Sequence, residues 1–276
     1  MFETIIKPEF NPVDHTFSLG GYDLTSVSKM LSSFEVEFDA PGISFFMARN
    51  DLRKATAWKT KGDPEPGDSD IAIRQAEILA EWDARRDEAS DHGNKVHKMF
   101  DKFLTKGEVV FPGTRTFLQT VKDDYDQIYK EYDCELMMCD PESGMAGITD
   151  WAGLRNCKDR IIDIDDFKTN LFKGIVFDSI SRKEGKVKHY NRYLKPPLNH
   201  LEQCNYTKYA LQLSSYGYML EKQLNARIGR LRIFWVEFNA ETEMIEYSGF
   251  IPIPYLRNEV KAIFAENAVK VETQDW

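Results

Sequence analysis

Two aspartates and a lysine, Asp150, Asp166 and Lys168, stand close together near the middle of the chain. Paired carboxylates hold hard divalent cations such as magnesium through their oxygens. A lysine beside such a pair orients a water or offsets charge that develops during a reaction. For the three groups to meet, the chain between Ala146 and Thr169 has to fold back on itself. It reads as two strands, Ala146 to Leu154 and Arg160 to Thr169, joined by the polar turn from Arg155 to Asp159. Side chains alternate across a strand, so Asp166 and Lys168 share a face with Ile162 and Ile164, and Asp150 shares one with Ile148, Ala152 and Leu154. Asp163 and Asp165 crowd the same strand, but only Asp166 lies two residues before Lys168 on its face.

Other chemistry-bearing residues sit on the elements around this hairpin. From Gly93 to Leu104, Val96, Met99, Phe100, Phe103 and Leu104 recur at i, i+3, i+4, i+7 and i+8, which predicts a helix that Gly107 ends. His97 falls on the flank of that stripe and by itself reads as a core-edge histidine. Cys134 to Cys139 predicts a short strand carrying Glu135, by itself a solvated edge carboxylate. Leu201 to Leu224 predicts a helix with Tyr206, Tyr209, Ala210, Leu213, Gly217 and Leu220 on its apolar face. Lys208, Gln212 and Tyr216 are four apart in a second, polar stripe. Residues 170–197 collect Arg182, Lys186, Lys188 and Arg192 with Tyr190 and Tyr193 interleaved. Such a tract suits a nucleic-acid backbone and its bases, and equally a solvated loop.

The remaining elements read more plainly. Residues up to Asp23 form an extended lead-in, and Leu24 to Phe34 a helix capped by Thr25 or Ser26. Ser44 to Trp58 predicts a helix bearing Arg49, Thr60 to Asp70 a loop, and Asp70 to Ser90 a long helix. Arg115 to Tyr132 predicts another helix, Arg230 to Phe238 and Met244 to Ile251 a hairpin, and Pro254 opens a terminal helix.

Bulk composition narrows the class. The 276 residues are 42% hydrophobic and 13% aromatic, enough for a sizeable core. No apolar run reaches the roughly 18 residues of a membrane span, and the first residues lack a secretory pattern, so the expectation is a cytoplasmic protein with no membrane partner. The net charge of -9 argues against a simple DNA-binding protein. A site that gathers carboxylates for cations is locally acidic, however, and bound cations reverse that sign. The four cysteines form no CxxC pair, so neither zinc nor an iron–sulfur cluster is expected.

Taken in order, Gly93-xxx-His97, Glu135, Gly147-xx-Asp150, Asp166-x-Lys168-Thr169 and Gln212-xxx-Tyr216 resemble the motifs of the RecB-type exonuclease branch of the PD-(D/E)XK nuclease superfamily. The likeness covers roughly Gly93 to Glu237. Thr25 to Ser28 and Trp82 to His97 are similar, more loosely, to the mitochondrial genome maintenance and phage exonucleases of that branch. The resemblance implies an α/β fold with a restriction-endonuclease-like core, a central mixed sheet flanked by helices, over residues 93–276. A helical N-terminal extension over 1–92 would pack on it. It implies a magnesium-dependent deoxyribonuclease, an exonuclease, with manganese able to substitute. Asp150, Asp166 and Lys168 take the catalytic roles, and His97, Glu135, Asp150 and Asp166 the metal-binding ones. Gln212 and Tyr216 support the site. Lys208, Arg182, Lys186, Lys188 and Arg192, with Arg49, are candidates for gripping the strand. DNA is the implied substrate, with a single-strand annealing or replication protein as partner, in the recombination, repair or replication of a phage or bacterium; for a phage the compartment is the host cytoplasm. The alternatives are a structure-specific endonuclease such as a junction resolvase, and a DNA-binding module with a silent nuclease fold.

Overall fold

The computed structural model describes residues 1–55, 65–169, 174–183, 186–190 and 192–272, with side chains at 180–189 and 269–272 left undescribed. The chain divides into two compact units, one of residues Met1–Val36 with Gly93–Trp276 and one of Glu37–His92. This division differs from the expected boundary at residue 92: residues 1–36 fall in the unit that holds Gly93–Trp276. The reason is strand pairing. The lead-in forms β1 (Glu9–Asn11), β2 (Thr16–Leu19) and β3 (Tyr22–Ser26), a small antiparallel meander. β3 then joins the central sheet. Ser26 caps α1 (Val27–Ser33), its side chain accepting from the Lys29 N–H at 3.1 Å.

The second unit contains α2 (Ala40–Ala55) and the start of α3 (Asp68–Lys106). Ala48, Ile71 and Ile78 are its buried core, with Leu52 and Trp82 packed against them. Arg74 binds Asp51, Glu77 and Glu81, and Arg49 and Arg53 both hold Glu65. Arg49 is therefore engaged in an ion pair here. The two helices expected over 70–90 and 93–104 are one continuous α3. Gly93 costs a helix about 1 kcal/mol relative to alanine, too little to break one continued by apolar residues at helical spacing. Gly107, at φ 69°, ends it with the bonds Gly107 N–H to Phe103 and Glu108 N–H to Lys102.

The first unit continues with α4 (Arg115–Ile128), β4 (Tyr129–Asp140), β5 (Met145–Arg155) and β6 (Ile161–Lys168). A short pair follows, β7 (Ile180–Lys183) with β8 (Lys186–His189). Then come α5 (Asn205–Leu224), β9 (Arg227–Asn239), β10 (Met244–Ile253) and α6 (Arg257–Glu272). The predicted helix to Tyr132 stops at Ile128 because Tyr129 is already paired with Arg155 across β4 and β5. Non-local pairing overrides helical periodicity there.

The sheet is mixed and open, in the order β1-β2-β3-β5-β6-β9-β10, with β4 also paired to β5. β5 and β6 form the expected hairpin, antiparallel; its register sets Trp151 opposite Asp165, and β6 runs parallel to β9. Helices cover both faces. On one, α1, α5 and α6 pack over Leu136, Ala152, Ile162, Ile164 and Ile233. On the other, the end of α3 and α4 bury Trp151, Phe167 and Phe234, with Phe100 and Phe167 stacked at 4.2 Å. The two faces of β6 therefore serve different layers, as alternation demands. No described helix is long and apolar enough to cross a membrane.

One irregularity positions the site. β5 pairs with β4 along its whole length. On its other edge it pairs with β3 at Met145 and Ala146 and with β6 from Trp151 to Leu154. Gly147 to Asp150 have no ladder partner on that edge among the described residues. The sheet opens there, and the side chains of the two central motifs line the opening.

Candidate metal centre

Asp150 stands where β5 and β6 part. Its Oδ2 accepts the Phe167 N–H at 2.6 Å, taking the place of a backbone acceptor on the diverging strand. Its Oδ1 lies 3.3 Å from Nδ1 of His97, carried in from α3. The same imidazole nitrogen is 3.8 Å from Oε1 of Glu135 on β4. His97, Glu135 and Asp150 thus offer three donor atoms within 4.8 Å of one another. Ligands at about 2.0–2.6 Å from a common cation can be this far apart, so the set fits a divalent ion. Two carboxylates suit magnesium or manganese, and an imidazole is the commoner ligand of first-row transition ions.

Glu135 reaches this position by an unusual backbone. It has φ 48°, in the left-handed region, at the point where the ladder passes from Cys134–Trp151 to Leu136–Thr149. Counting along that register sets Glu135 opposite Asp150. A left-handed non-glycine residue costs roughly 1–2 kcal/mol, and such conformations cluster at functional sites. By itself the sequence favours a solvated edge position for Glu135, and the side chain is indeed partly exposed, but it is turned toward His97.

Asp166 is differently engaged. It is 1% exposed, and its Oδ2 lies 2.5 Å from Nζ of Lys168, without hydrogen-bonding geometry. It lies outside the three-donor group, beside it. Lys168 is also 4.0 Å from Oδ2 of Asp150 and packs its ammonium 5.4 Å from the centre of the Tyr209 ring. Tyr209 was readable only as part of an apolar stripe; its place three residues before Gln212 puts it on the same side of α5 as the expected motif.

The fourth wall comes from α5. Tyr216 is buried, and its hydroxyl accepts the Gln212 side-chain N–H at 3.0 Å. A Cβ added to Gly147 would lie 2.5 Å from Cε1 of Tyr216. Gly147 and Tyr216, far apart in the chain, are therefore one packing unit beneath Asp150.

Charge follows from this crowding. With no cation at the site, burial disfavours the His97 imidazolium, but the Asp150 charge and hydrogen bond, with Glu135, outweigh it and raise His97 to about 10; a cation bound at Nδ1 would displace that proton. Burial works against ionised Asp150 too, yet His97, Lys168 and the Phe167 N–H hold it below the ordinary carboxylate range. Asp166 moves the other way: burial raises it, and Asp150 adds repulsion that Lys168 only partly relieves. Lys168, although buried, is held protonated by Asp166 and Asp150. It stands at the site as a positive charge and hydrogen-bond donor.

Asp163 and Asp165 point to the other face. Asp163 binds Arg155, Arg230 and the Tyr129 hydroxyl, the last at 2.8 Å. Asp165 takes a two-pronged contact from Arg232, both bonds 2.7 Å, and the Tyr125 hydroxyl at 2.8 Å. These are structural ion pairs. Among the expected strand-gripping residues, Lys208 binds Glu35 at 2.8 Å while staying 38% exposed. Arg192 is exposed and lies over the Tyr190 ring at 5.6 Å. Arg182 is on β7 and Lys186 and Lys188 are on β8, with side chains outside the described residues.

Comparison with protein-family models and with curated proteins finds no match.

Proposed function

We propose that this chain is a divalent-metal-dependent DNA nuclease with a PD-(D/E)XK core, an exonuclease of the RecB type. The observation that carries the reading is the meeting of five separated motifs at one opening of the sheet. His97, Glu135, Asp150, the Asp166–Lys168 pair and the Gly147–Tyr216–Gln212 unit all contribute to it. A divalent cation held there supplies charge stabilisation to a phosphodiester under attack. His97, Glu135 and Asp150 are the holding groups, and Asp166 is the next carboxylate within reach. Lys168 offsets negative charge that builds on the phosphate and donates hydrogen bonds to it or to the attacking water. Gln212 and Tyr216 keep the floor of the site rigid through one hydrogen bond and one tight contact. Such an enzyme acts on cytoplasmic DNA in replication, recombination or repair, beside a single-strand annealing or replication protein.

End-labelled and covalently closed circular DNA, incubated with magnesium or manganese, test the reading. The expected outcome is metal-dependent release of nucleotides from linear DNA, with circles intact. Lys168→Ala and Asp166→Asn should each lower the rate by about a hundredfold to a thousandfold, the usual effect of removing one preorganised electrostatic group. Cleaved circles would point instead to a structure-specific endonuclease. Full activity in both variants, or no cleavage of any DNA by the unaltered protein, would overturn the assignment.

A further inference from the structure

Lys168, Trp235 and Gly249 occupy one row across the sheet, since Lys168 pairs with Trp235 on β9 and Trp235 with Gly249 on β10. Neighbouring strands are about 4.8 Å apart, so the row leads directly away from the site. At its far end lies an open cleft of about 220 Å³ lined by Ile175, Phe177, Trp235, Tyr247, Gly249 and Ile251 among others. Phe177 and Tyr247 are each 57% exposed, a large aromatic surface to leave in water.

The cleft is built by two local departures. The register of β9 with β10 shifts between Ile245 and Tyr247, so Glu246 is an extra residue. Ile245 packs on the Phe234–Phe238 side of the sheet. Plain alternation would send Tyr247 to that side as well. The bulge turns it to the Trp235 side, a re-aiming that bulges near functional sites commonly perform. Gly249 makes room for the Tyr247 ring, which lies over it: a Cβ there would meet the Tyr247 hydroxyl at 3.1 Å. The Trp235 indole N–H donates to Glu237 at 3.1 Å, which fixes the ring edge, and the side chain is part-exposed in the cleft.

We infer that this cleft is a nucleobase subsite, in which Trp235, Tyr247 and Phe177 receive an unstacked base of the strand whose phosphate lies at Lys168. The inference rests on the nuclease reading and adds to it a substrate class: single-stranded DNA, or a duplex end frayed by at least one base. The occupant follows from continuity with Lys168. A phosphodiester held at the lysine carries bases on both sides, and the aromatic walls are the nearest apolar surface along the row. Every base has a stacking face, so the subsite takes any sequence.

Binding of fluorescent oligo(dT) and of an abasic strand of equal length, each in calcium and again in EDTA, tests the inference. The unaltered protein should bind oligo(dT) about fivefold to a hundredfold more tightly than the abasic strand, the range for stacking of one base on an aromatic side chain. Tyr247→Ser and Phe177→Ala, both at exposed positions, should each erase much of that difference. Trp235→Leu should erase it while Trp235→Phe keeps it, which separates a stacking role from a folding defect. Equal affinity for the two strands, or variants that bind as the unaltered protein does, would overturn the inference, and DNA cleavage by the same preparation would leave the nuclease reading standing. Absence of both binding and cleavage would overturn both. Loss of self-association in the variants, with DNA binding unchanged, would make the cleft an interface between copies and overturn the inference.

Discussion

The ring of Tyr216 occupies the space that Gly147 leaves open: a Cβ on Gly147 would lie 2.5 Å from Cε1 of that ring. The contact joins β5 to α5 directly below Asp150, and the ring cannot shift without breaking the bond from Gln212. Gly147→Ala should therefore cost about 1–3 kcal/mol by overpacking, read from urea denaturation. Tyr216→Ala in the same chain should recover part of that loss. A double-mutant cycle should show coupling of at least about 0.5 kcal/mol; additive energies would separate the two residues.

Glu135 gives a test in which stability and cation binding move apart. At φ 48° glycine is free of the clash that any side chain meets. Glu135→Gly should be about 1 kcal/mol more stable than Glu135→Ala, comparing denaturation midpoints. Both should lose most of the manganese-induced rise in melting temperature, which for the unaltered protein corresponds to about 2.7 kcal/mol at a cation concentration a hundred times Kd. A rise preserved in both variants would remove Glu135 from the donor set.

Asp150 should matter for the same rise and for the strand parting. Asp150→Asn keeps an oxygen to accept the Phe167 N–H, whereas Asp150→Ala leaves that buried donor unpaired. Thermal shift with manganese should vanish in both. Without metal, the alanine variant should be the less stable by about 1–3 kcal/mol. Equal stability of the two would mean the Phe167 N–H finds another acceptor.

Asp163 carries a pH dependence of definite sign. Burial pushes its carboxyl up, but Arg155, the Arg230 N–H, Tyr129 and the Arg230 side chain outweigh burial and bring it below its ordinary value. A folded-state pKa below the unfolded value of about 3.9 stabilises the protein above that pH. The contribution is lost as pH falls through the folded value. Asp163→Asn should cost about 1–3 kcal/mol near pH 7, since a buried amide cannot replace the charge-assisted bonds from the part-exposed Arg155 and Arg230. The gap should narrow below about pH 4, compared by urea midpoints across pH. A gap independent of pH would exclude the ion pairs as its source.

Local periodicity made much of the site legible. Alternation with period two placed Asp166 and Lys168 on one face of β6 and set Asp163 and Asp165 on the other, where they meet arginines and tyrosines. Helical spacing put His97 at the edge of a buried stripe, and Gln212 and Tyr216 one turn apart. The strands β1 to β3 were less legible, because three to five residues with few apolar side chains leave too little pattern to tell a strand from a loop.

What the sequence by itself determined is therefore the set of reactive groups and the side of each element that bears them, because both depend on a residue and its near neighbours. Tertiary structure decided the rest. The opening of the sheet at Gly147–Asp150 arises from β3 and β6 sharing one edge of β5. The turning of Glu135 toward His97 depends on a single left-handed residue held between strands. The pairing of Asp166 with Lys168, outside the three-donor group of His97, Glu135 and Asp150, is settled in a buried space where each charge is opposed by those around it. Each depends on pairing or packing between distant segments, and no local pattern encodes the distance at which those segments finally meet.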